Sequence, residues 1–478
     1  MTTTPRTEQR NARIVATIGP ASWELEALTR LLTAGVDVVR VNAAHNSVEE
    51  RRGIVATIRR AAAEVGRPVA VLQDLAGPKP RTGPLADGVA LTLARDQQLT
   101  LVAGDAPLQP DRISIDDEAL VAGLEPGQRV LLSDGLLELH VGSCRGGEVL
   151  ASVVRGGRLR GRQGVTVPGA PLPPRVISPQ EAADIAFAAE QDLEYLGVSF
   201  VTAARDVTMV REELQRHGGR AGIIAKIERP EALSAIEEIA RCADGLMVAR
   251  GDLGVQLPPE EVPIAQKRII QVARTHGTPV ITATQMLESM TTQPLPTRAE
   301  ASDVANAVLD GSDAVMLSAE TATGAYPLEA VEMMVRIIRT VERNFAPTPL
   351  PETERPHTVA STIARAASDI ARRSAVINLI AVFTRSGFSA REVARERPSV
   401  PIVALTNSRF VANQLELVWG VDPLVAEFAE DTEELIGQMA HRLVDDGCAK
   451  TGDHVLFVGS LRVFDEPGHT DVLHLRRL

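Results

Sequence analysis

Aromatic residues are scarce in this chain, 3% of 478 residues, so whatever core it builds must be aliphatic. Cysteine is scarcer still. Cys144, Cys242 and Cys448 stand far apart without metal-ligand spacing, and read as buried or inert thiols of a reducing, cytoplasmic setting. There is no Lys/Arg block at either end and the net charge is −12, which argues against a nucleic-acid partner. A negative total does not exclude a local anion site. No apolar stretch reaches the roughly 18 residues of a membrane span, and the first ten residues are too polar for a signal peptide. What is present is 44% apolar residues, enough for a large core, and a length that suits about two to four domains.

Short Val/Ile/Leu runs alternate with longer stretches of helical period. Strands are expected near 13–18, 37–42, 69–75, 195–200, 222–228, 245–250, 279–284 and 314–319. Near-continuous apolar runs of this length suit parallel strands covered on both faces. Helices are signalled between them. Ser178-Pro179-Gln180-Glu181 and Thr297-Arg298-Ala299-Glu300 both have capping-box spacing. About eight such alternations predict a (β/α)8 TIM barrel built from 1–83 and 171–345, with 1–11 as an N-terminal tail.

Residues 84–170 break the rhythm. Runs such as VALTLA, QLTLVAG and EVLASVV, separated by glycine turns, predict an inserted small β-barrel domain of antiparallel strands after the third barrel strand. A Pro-rich linker, 346–356, leads into a C-terminal α/β domain over 357–478. There, helices are expected at 358–373, 389–397 and 408–417, and strands at 378–384, 401–405, 453–459 and 471–476.

Barrel enzymes carry their chemistry at the C-terminal ends of the strands. Those ends hold Arg40, Asn42, Asp74, Lys226, Glu228, Arg250, Asp252, Thr284, Ser318 and Glu320. Lys226 and Glu228 are two apart on one strand and share a face. Alone they would read equally well as an ion pair. With Asp252 on the next strand end, they read as two carboxylates suited to Mg2+ beside cations for a phosphoryl group. Gly251 allows close backbone approach.

The stretches ARIVATIGPAS (12–22), AGVDVVRVNAAH (34–45), IIAKIERPEAL (223–233), DGLMVARGDLGV (244–255), PVITATQMLESM (279–290) and PTRAEASDVANAVLDGSDAVMLSAETATGAYP (296–327) resemble pyruvate kinase. The resemblance covers roughly 12–478. It implies a cytoplasmic glycolytic homotetramer that moves the phosphoryl group of phosphoenolpyruvate onto ADP, giving pyruvate and ATP. It also implies roles for individual residues. Arg40 and Lys226 would hold the phosphoryl group. Glu228 and Asp252 would ligate Mg2+, with Mn2+ as an alternative. Gly251, Asp252 and Thr284 would take the substrate carboxylate. Asn42, His45 and Arg81 would lie near the nucleotide phosphates, and Thr284 and Ser318 would join a water network that protonates the enolpyruvate carbon. The loop Thr384, Arg385, Ser386, Gly387, Phe388, Ser389 resembles one that binds a sugar-phosphate effector; ordinary capping by Ser386 or Ser389 is the alternative.

The departures from the family pattern are specific. Potassium-dependent members have Ser where this chain has Ala44 and Glu where it has Lys79. A fixed ammonium at Lys79, hydrogen-bonded to Asn42 and Asp74, would replace the mobile ion and make potassium unnecessary; a surface Lys with an unrelated Ala is the alternative. Gln163 and Thr166 replace a usual Lys and Asn at the end of the inserted domain, where Arg160 or Arg162 would have to substitute. Ala319, Thr202 and Asp471 are smaller departures. Two other readings stand beside the kinase: a binding or regulatory relative that transfers poorly, and a barrel enzyme of different chemistry on the same substrate.

Overall fold

The computed structural model describes residues 10–44, 46–77, 79–170, 175–351, 358–428, 432–460 and 470–478. His45, most of the expected tail 1–11 and part of the linker 346–356 lie outside the described residues. Eight parallel strands close into a barrel. They are β1 (Arg13–Thr17), β2 (Val38–Asn42), β3 (Ala70–Asp74), β4 (Tyr195–Val198), β5 (Gly222–Ile227), β6 (Gly245–Ala249), β7 (Val280–Ala283) and β8 (Ala314–Leu317). Each pairs with its neighbours in sequence, and β8 returns to β1. All eight fall where the apolar runs place them.

The alternation of side chains explains why those runs are continuous. Along β1, Ile14 and Ala16 pack outward against the helices, while Val15 points into the barrel with Val38, Leu72, Ile224, Met247 and Ile281. Both faces are apolar, so no polar alternation survives in the strand interiors. Helix starts follow their caps. Thr297 and Glu300 complete a reciprocal capping box at the helix Arg298–Asp310. Ser178 makes only half of one at Pro179–Glu190: its Oγ accepts from Glu181 N at 3.1 Å, but the Glu181 carboxylate pairs with Arg175. A buried guanidinium outcompetes a neutral amide for a carboxylate.

The insertion follows β3 and precedes β4. A six-stranded sheet runs in the order 165–166, 129–132, 137–145, 148–155, 98–103, 112–115, and a two-stranded sheet joins 91–93 to 157–159. Leu93 and Leu159 of the smaller sheet share one core with Leu101, Leu139 and Val153 of the larger, so the two curl around a common interior. Among these strands pairing is antiparallel except between Gln98–Ala103 and Arg112–Ile115, which are parallel, and a short helix, Glu118–Ala122, is an addition to the expected strands. Cys144, expected to be buried or inert, is exposed here, with its thiol on the Leu124 carbonyl.

The C-terminal domain is a five-stranded sheet of β9 (Ile377–Phe383), β10 (Ile402–Thr406), β11 (Val421–Val425), β12 (His454–Gly459) and β13 (Val472–Arg477), in the order β11-β10-β9-β12-β13 with β13 antiparallel. Strand β11 and the helix Thr432–Asp445 were not expected. The domain closes the N-terminal end of the barrel. Leu417 packs among the barrel's interior residues, Arg13 Nε donates to the Val418 carbonyl at 3.1 Å, and Asn413 Nδ2 donates to buried Glu194 at 2.8 Å. Asp313 is the busiest link. It accepts from Val280 N (3.0 Å) in the barrel and from Trp419 N (3.3 Å) and Arg397 (3.2 Å) in the C-terminal domain, and Arg397 lies over the Trp419 ring. Asp313→Ala would leave the buried Arg397 guanidinium unpaired. It is expected to destabilise the chain by about 3–5 kcal/mol, read by chemical denaturation, with Asp313→Asn costing clearly less.

Candidate active site

Parity carries the aliphatic interior into a polar rim. Val15, Val38, Leu72 and Ile224 face inward, so the residues two further on, Thr17, Arg40, Asp74 and Lys226, face inward at the C-terminal end. They meet at one carboxylate. Asp74 accepts from Arg40 Nε at 2.9 Å and also from Arg40 Nη2, and its other oxygen lies 3.1 Å from Lys226 Nζ. Arg40 also donates to Thr17 Oγ1 at 2.9 Å. Gly197 makes room: a Cβ there would stand 3.2 Å from Asp74 Oδ1. Burial opposes the charge on Asp74, but Lys226 and Arg40 together outweigh it and hold the carboxyl below its ordinary value.

Lys226 is buried, donates to Ser199 Oγ at 2.8 Å and lies 2.9 Å from Glu228 Oε1. Burial works against its charge too, yet Asp74 and then Glu228 overcome it and raise its value. Glu228 Oε2 accepts from the Phe200 amide at 2.8 Å. Burial pushes the Glu228 acid up; Lys226 opposes this, and the neighbouring charge of Asp252 adds to it. Two carboxylates that repel each other across one space fit a hard divalent cation, which takes oxygen ligands. Among the described residues no group of three His, Cys, Asp or Glu forms a closed cage, so water and substrate oxygens would complete such a shell.

The loops after β6, β7 and β8 are braced from behind. Gly251 N donates to Thr284 Oγ1 at 2.7 Å, and that hydroxyl donates to the Ala283 carbonyl. Thr284 and Gln285 have positive φ, a conformation costing about 1–3 kcal/mol per residue unless the surroundings impose it. Arg250 imposes it: its guanidinium donates to the Thr284 carbonyl at 2.6 Å and pairs with Asp303 at 2.7 Å. Glu320, fully buried, accepts from Leu287 N and from Ser318 N, tying the β7 and β8 loops together. Ser318 Oγ is buried with no hydrogen-bond partner among the described residues.

Lys79 differs from expectation. Its ammonium does not reach Asn42 or Asp74. It lies 2.7 Å from Asp252 Oδ1 and 2.8 Å from Asp134 Oδ1 of the inserted domain. Asp74 is already paired with both Arg40 and Lys226, and Asn42 Oδ1 accepts from the Ala44 amide at 3.0 Å. Arg81 is exposed, with its guanidinium on the Arg162 carbonyl. Arg162 is committed to Asp105, so of the two arginines expected to replace the missing lysine, Arg160 is the one left exposed without an ion pair among the described residues. In the effector-like loop, neither Ser386 nor Ser389 caps the helix Phe388–Arg395. Gly387 is its N-cap without a side-chain bond, Ser389 Oγ bonds Thr470 Oγ1 at 2.7 Å, and Thr384 is buried. Thr17 and Ser199 were missed as site residues, although the same parity rule points to them. Asp134 was missed because it sits in a turn of another domain.

Lysine is rare in this chain. Lys79, Lys226, Lys267 and Lys450 are the only four, and two of them stand here. In so arginine-rich a chain, lysine at these positions reflects a need for a compact point charge rather than composition.

A closed barrel with cations and paired carboxylates on its strand ends defines a class, the barrel enzymes that act on anionic substrates. The sequence comparisons narrow it. Residues 9–331 match the family described as pyruvate kinase, barrel domain, and residues 361–475 match pyruvate kinase, alpha/beta domain. A pyruvate kinase of Agrobacterium vitis is 41% identical over 453 residues, 94% of either chain. One from Mycobacterium tuberculosis is 40% identical over 469 residues, 98% of either chain. One from Geobacillus stearothermophilus is 40% identical over 471 residues, 97% of this chain and 80% of its own. The chain belongs to the pyruvate kinase family and is a phosphotransferase.

Gly197→Ala tests the packing of the cluster. The added methyl must displace Asp74 and with it both cations. A shift of a few tenths of an ångström is expected to lower turnover by roughly tenfold in steady-state assays. The overpacking cost to stability is expected to be only about 1–3 kcal/mol.

Proposed function

We propose that this chain transfers the phosphoryl group of phosphoenolpyruvate to ADP, with Mg2+ (or Mn2+) held by Glu228 and Asp252, and that it does so without potassium. The observation that carries the reading is the pair of fixed cations, Arg40 and Lys226, on one buried carboxylate beside Glu228. Arg40 and Lys226 receive the phosphoryl oxygens. Positioning and charge neutralisation are most of what such a transfer needs. When bound, the divalent ion adds positive charge against the phosphoryl and enolate oxygens. The substrate carboxylate goes to the amides of Gly251 and Asp252 and to the Thr284 hydroxyl, which must turn from the Ala283 carbonyl and release the Gly251 amide. Lys226 stabilises the enolate left after transfer. Ser318, whose buried hydroxyl is unspent, and Thr284 order the water that protonates its carbon. Asn42, His45 and Arg81 are assigned to the nucleotide phosphates.

Lys79 supplies a permanent positive charge in place of a monovalent ion, and Ala44 lacks the hydroxyl that would hold one. The amides after Gly387, with Ser386 beside them, are assigned to a sugar-phosphate effector, while Ser389 and Thr384 hold the loop. A cytoplasmic homotetramer with no nucleic-acid partner belongs to the same proposal; no helix among the described residues is long and apolar enough to cross a membrane.

Pyruvate formation from phosphoenolpyruvate, ADP and Mg2+ is expected to run at full rate in sodium- and potassium-free buffer. Lys79→Glu is expected to slow it and to make it respond to added potassium; a variant as active and as indifferent to potassium as the parent would remove Lys79 from this role. Lys226→Ala should lower kcat by about a hundredfold or more. Mn2+ affinity should fall far less, and equal losses in both would undercut the role given to Lys226.

A further inference from the structure

The Lys79 ammonium joins two domains. Asp252 lies on the helix Arg250–Gln256 at the barrel mouth, and Asp134 lies in a turn of the inserted domain. Three further observations show that this contact is built in. The lysine stem runs over Gly164 of the inserted domain, where a Cβ would come within 2.6 Å of Lys79 Cε and push the stem aside. Ser133, Asp134 and Gly135 all have positive φ, which turns the Asp134 side chain into this position. The same turn reaches the barrel helix at Val255, 3.9 Å from the ideal Cβ position at Gly135. The Lys79 side chain is 20% exposed, that of Asp252 34% and that of Asp134 70%, so the barrel side of the contact is the more enclosed.

We propose that Lys79 is a positioning residue that latches the inserted domain to the barrel through Asp252, and that a divalent cation and this latch compete for the Asp252 carboxylate. Asp134 holds the ammonium on the domain side and Asp252 holds it on the barrel side. A divalent cation drawing on Asp252 meets a positive charge 2.7 Å from the oxygen it needs, and binds only as that ion pair gives way. Binding therefore loosens the contact between the turn at 133–136 and the helix Arg250–Gln256. The competition is reciprocal: the closed latch weakens the metal by the same factor by which the metal weakens the latch. The freed ammonium, still tethered to Asp134, is then available to the reacting anions. The inference rests on the reading of Glu228 and Asp252 as the metal ligands.

The test uses the full chain and Mn2+ alone, without substrates. Mn2+ affinity is read by the electron paramagnetic resonance of the free ion, and the latch by amide hydrogen exchange across residues 133–136. In the parent chain, Mn2+ is expected to speed exchange in the turn. Lys79→Met is expected to bind Mn2+ about tenfold more tightly and to exchange quickly in the turn with or without the ion. Asp134→Asn, which leaves Lys79 and Asp252 in place, is expected to speed exchange in the turn before any ion is added. Glu228→Gln separates the two claims. If it binds Mn2+ as the parent does, the metal reading itself falls. If it loses Mn2+ while Lys79→Met binds no more tightly than the parent, or the parent turn exchanges at the same rate or more slowly with Mn2+, the latch is overturned and the metal reading stands.

Discussion

A single buried carboxylate, Asp74, shared by Arg40 and Lys226, organises the mouth of this barrel. Two cations brought together from β2 and β5 would repel each other and resist burial. Asp74 between them balances that charge in a place where charge is costly, and it helps to raise Lys226 above its ordinary value. The barrel supplies the condition for this. Residues at 15, 38, 72 and 224 are aliphatic and fill the interior, so the polar residues two positions further on have a firm floor and one direction to point. Gly197 leaves the gap that the carboxylate occupies. Phosphoryl transfer asks little covalent chemistry of a protein and much positioning, and this cluster is a positioning device.

A second layer fixes the loops. Arg250, Asp303 and Glu320 touch neither Arg40 nor Lys226, yet they set where Thr284, Gly251 and Ser318 stand. Thr284 keeps an unfavourable backbone conformation because Arg250 grips its carbonyl. Strain of this kind persists only where neighbours impose it. At the opposite end, Asp313 and Glu194 bind the C-terminal domain to the barrel floor, and Leu417 plugs it. A change in the C-terminal domain therefore has a packed route to the strands that carry the site.

Much of this was legible in the sequence, and the exceptions have physical causes. The eight barrel strands could be read because parallel strands buried on both faces leave unbroken aliphatic runs. Strand β11 could not, because it is an edge strand carrying Asp422 and Pro423, and an edge tolerates what a central strand does not. The helix Thr432–Asp445 has apolar Leu435, Ile436, Met439 and Leu443 at helical spacing, but Gly437 interrupts it and weakens the signal. Within the site, the inward set followed from strand parity, which also reaches Thr17 and Ser199. The partners of Lys79 did not follow. Asp134 is 55 residues away in another domain, and only the folded arrangement shows that Asp74 pairs with Arg40 and Lys226 instead. The Ser178 cap was half right for a similar reason, since Arg175 offered Glu181 a stronger partner than its own backbone.

The central claim is that Asp74 holds Arg40 and Lys226 in the geometry that phosphoryl transfer requires. Asp74→Asn keeps the size and shape of the side chain and removes the charge. The measurement is kcat/KM for phosphoenolpyruvate in the variant, with its melting curve recorded to show that the chain is folded. A fall of about a hundredfold or more in a folded variant is the result expected when both cations lose their shared partner. A folded variant with kcat/KM close to that of the parent would contradict it, and would mean that the two cations hold their places without the carboxylate between them.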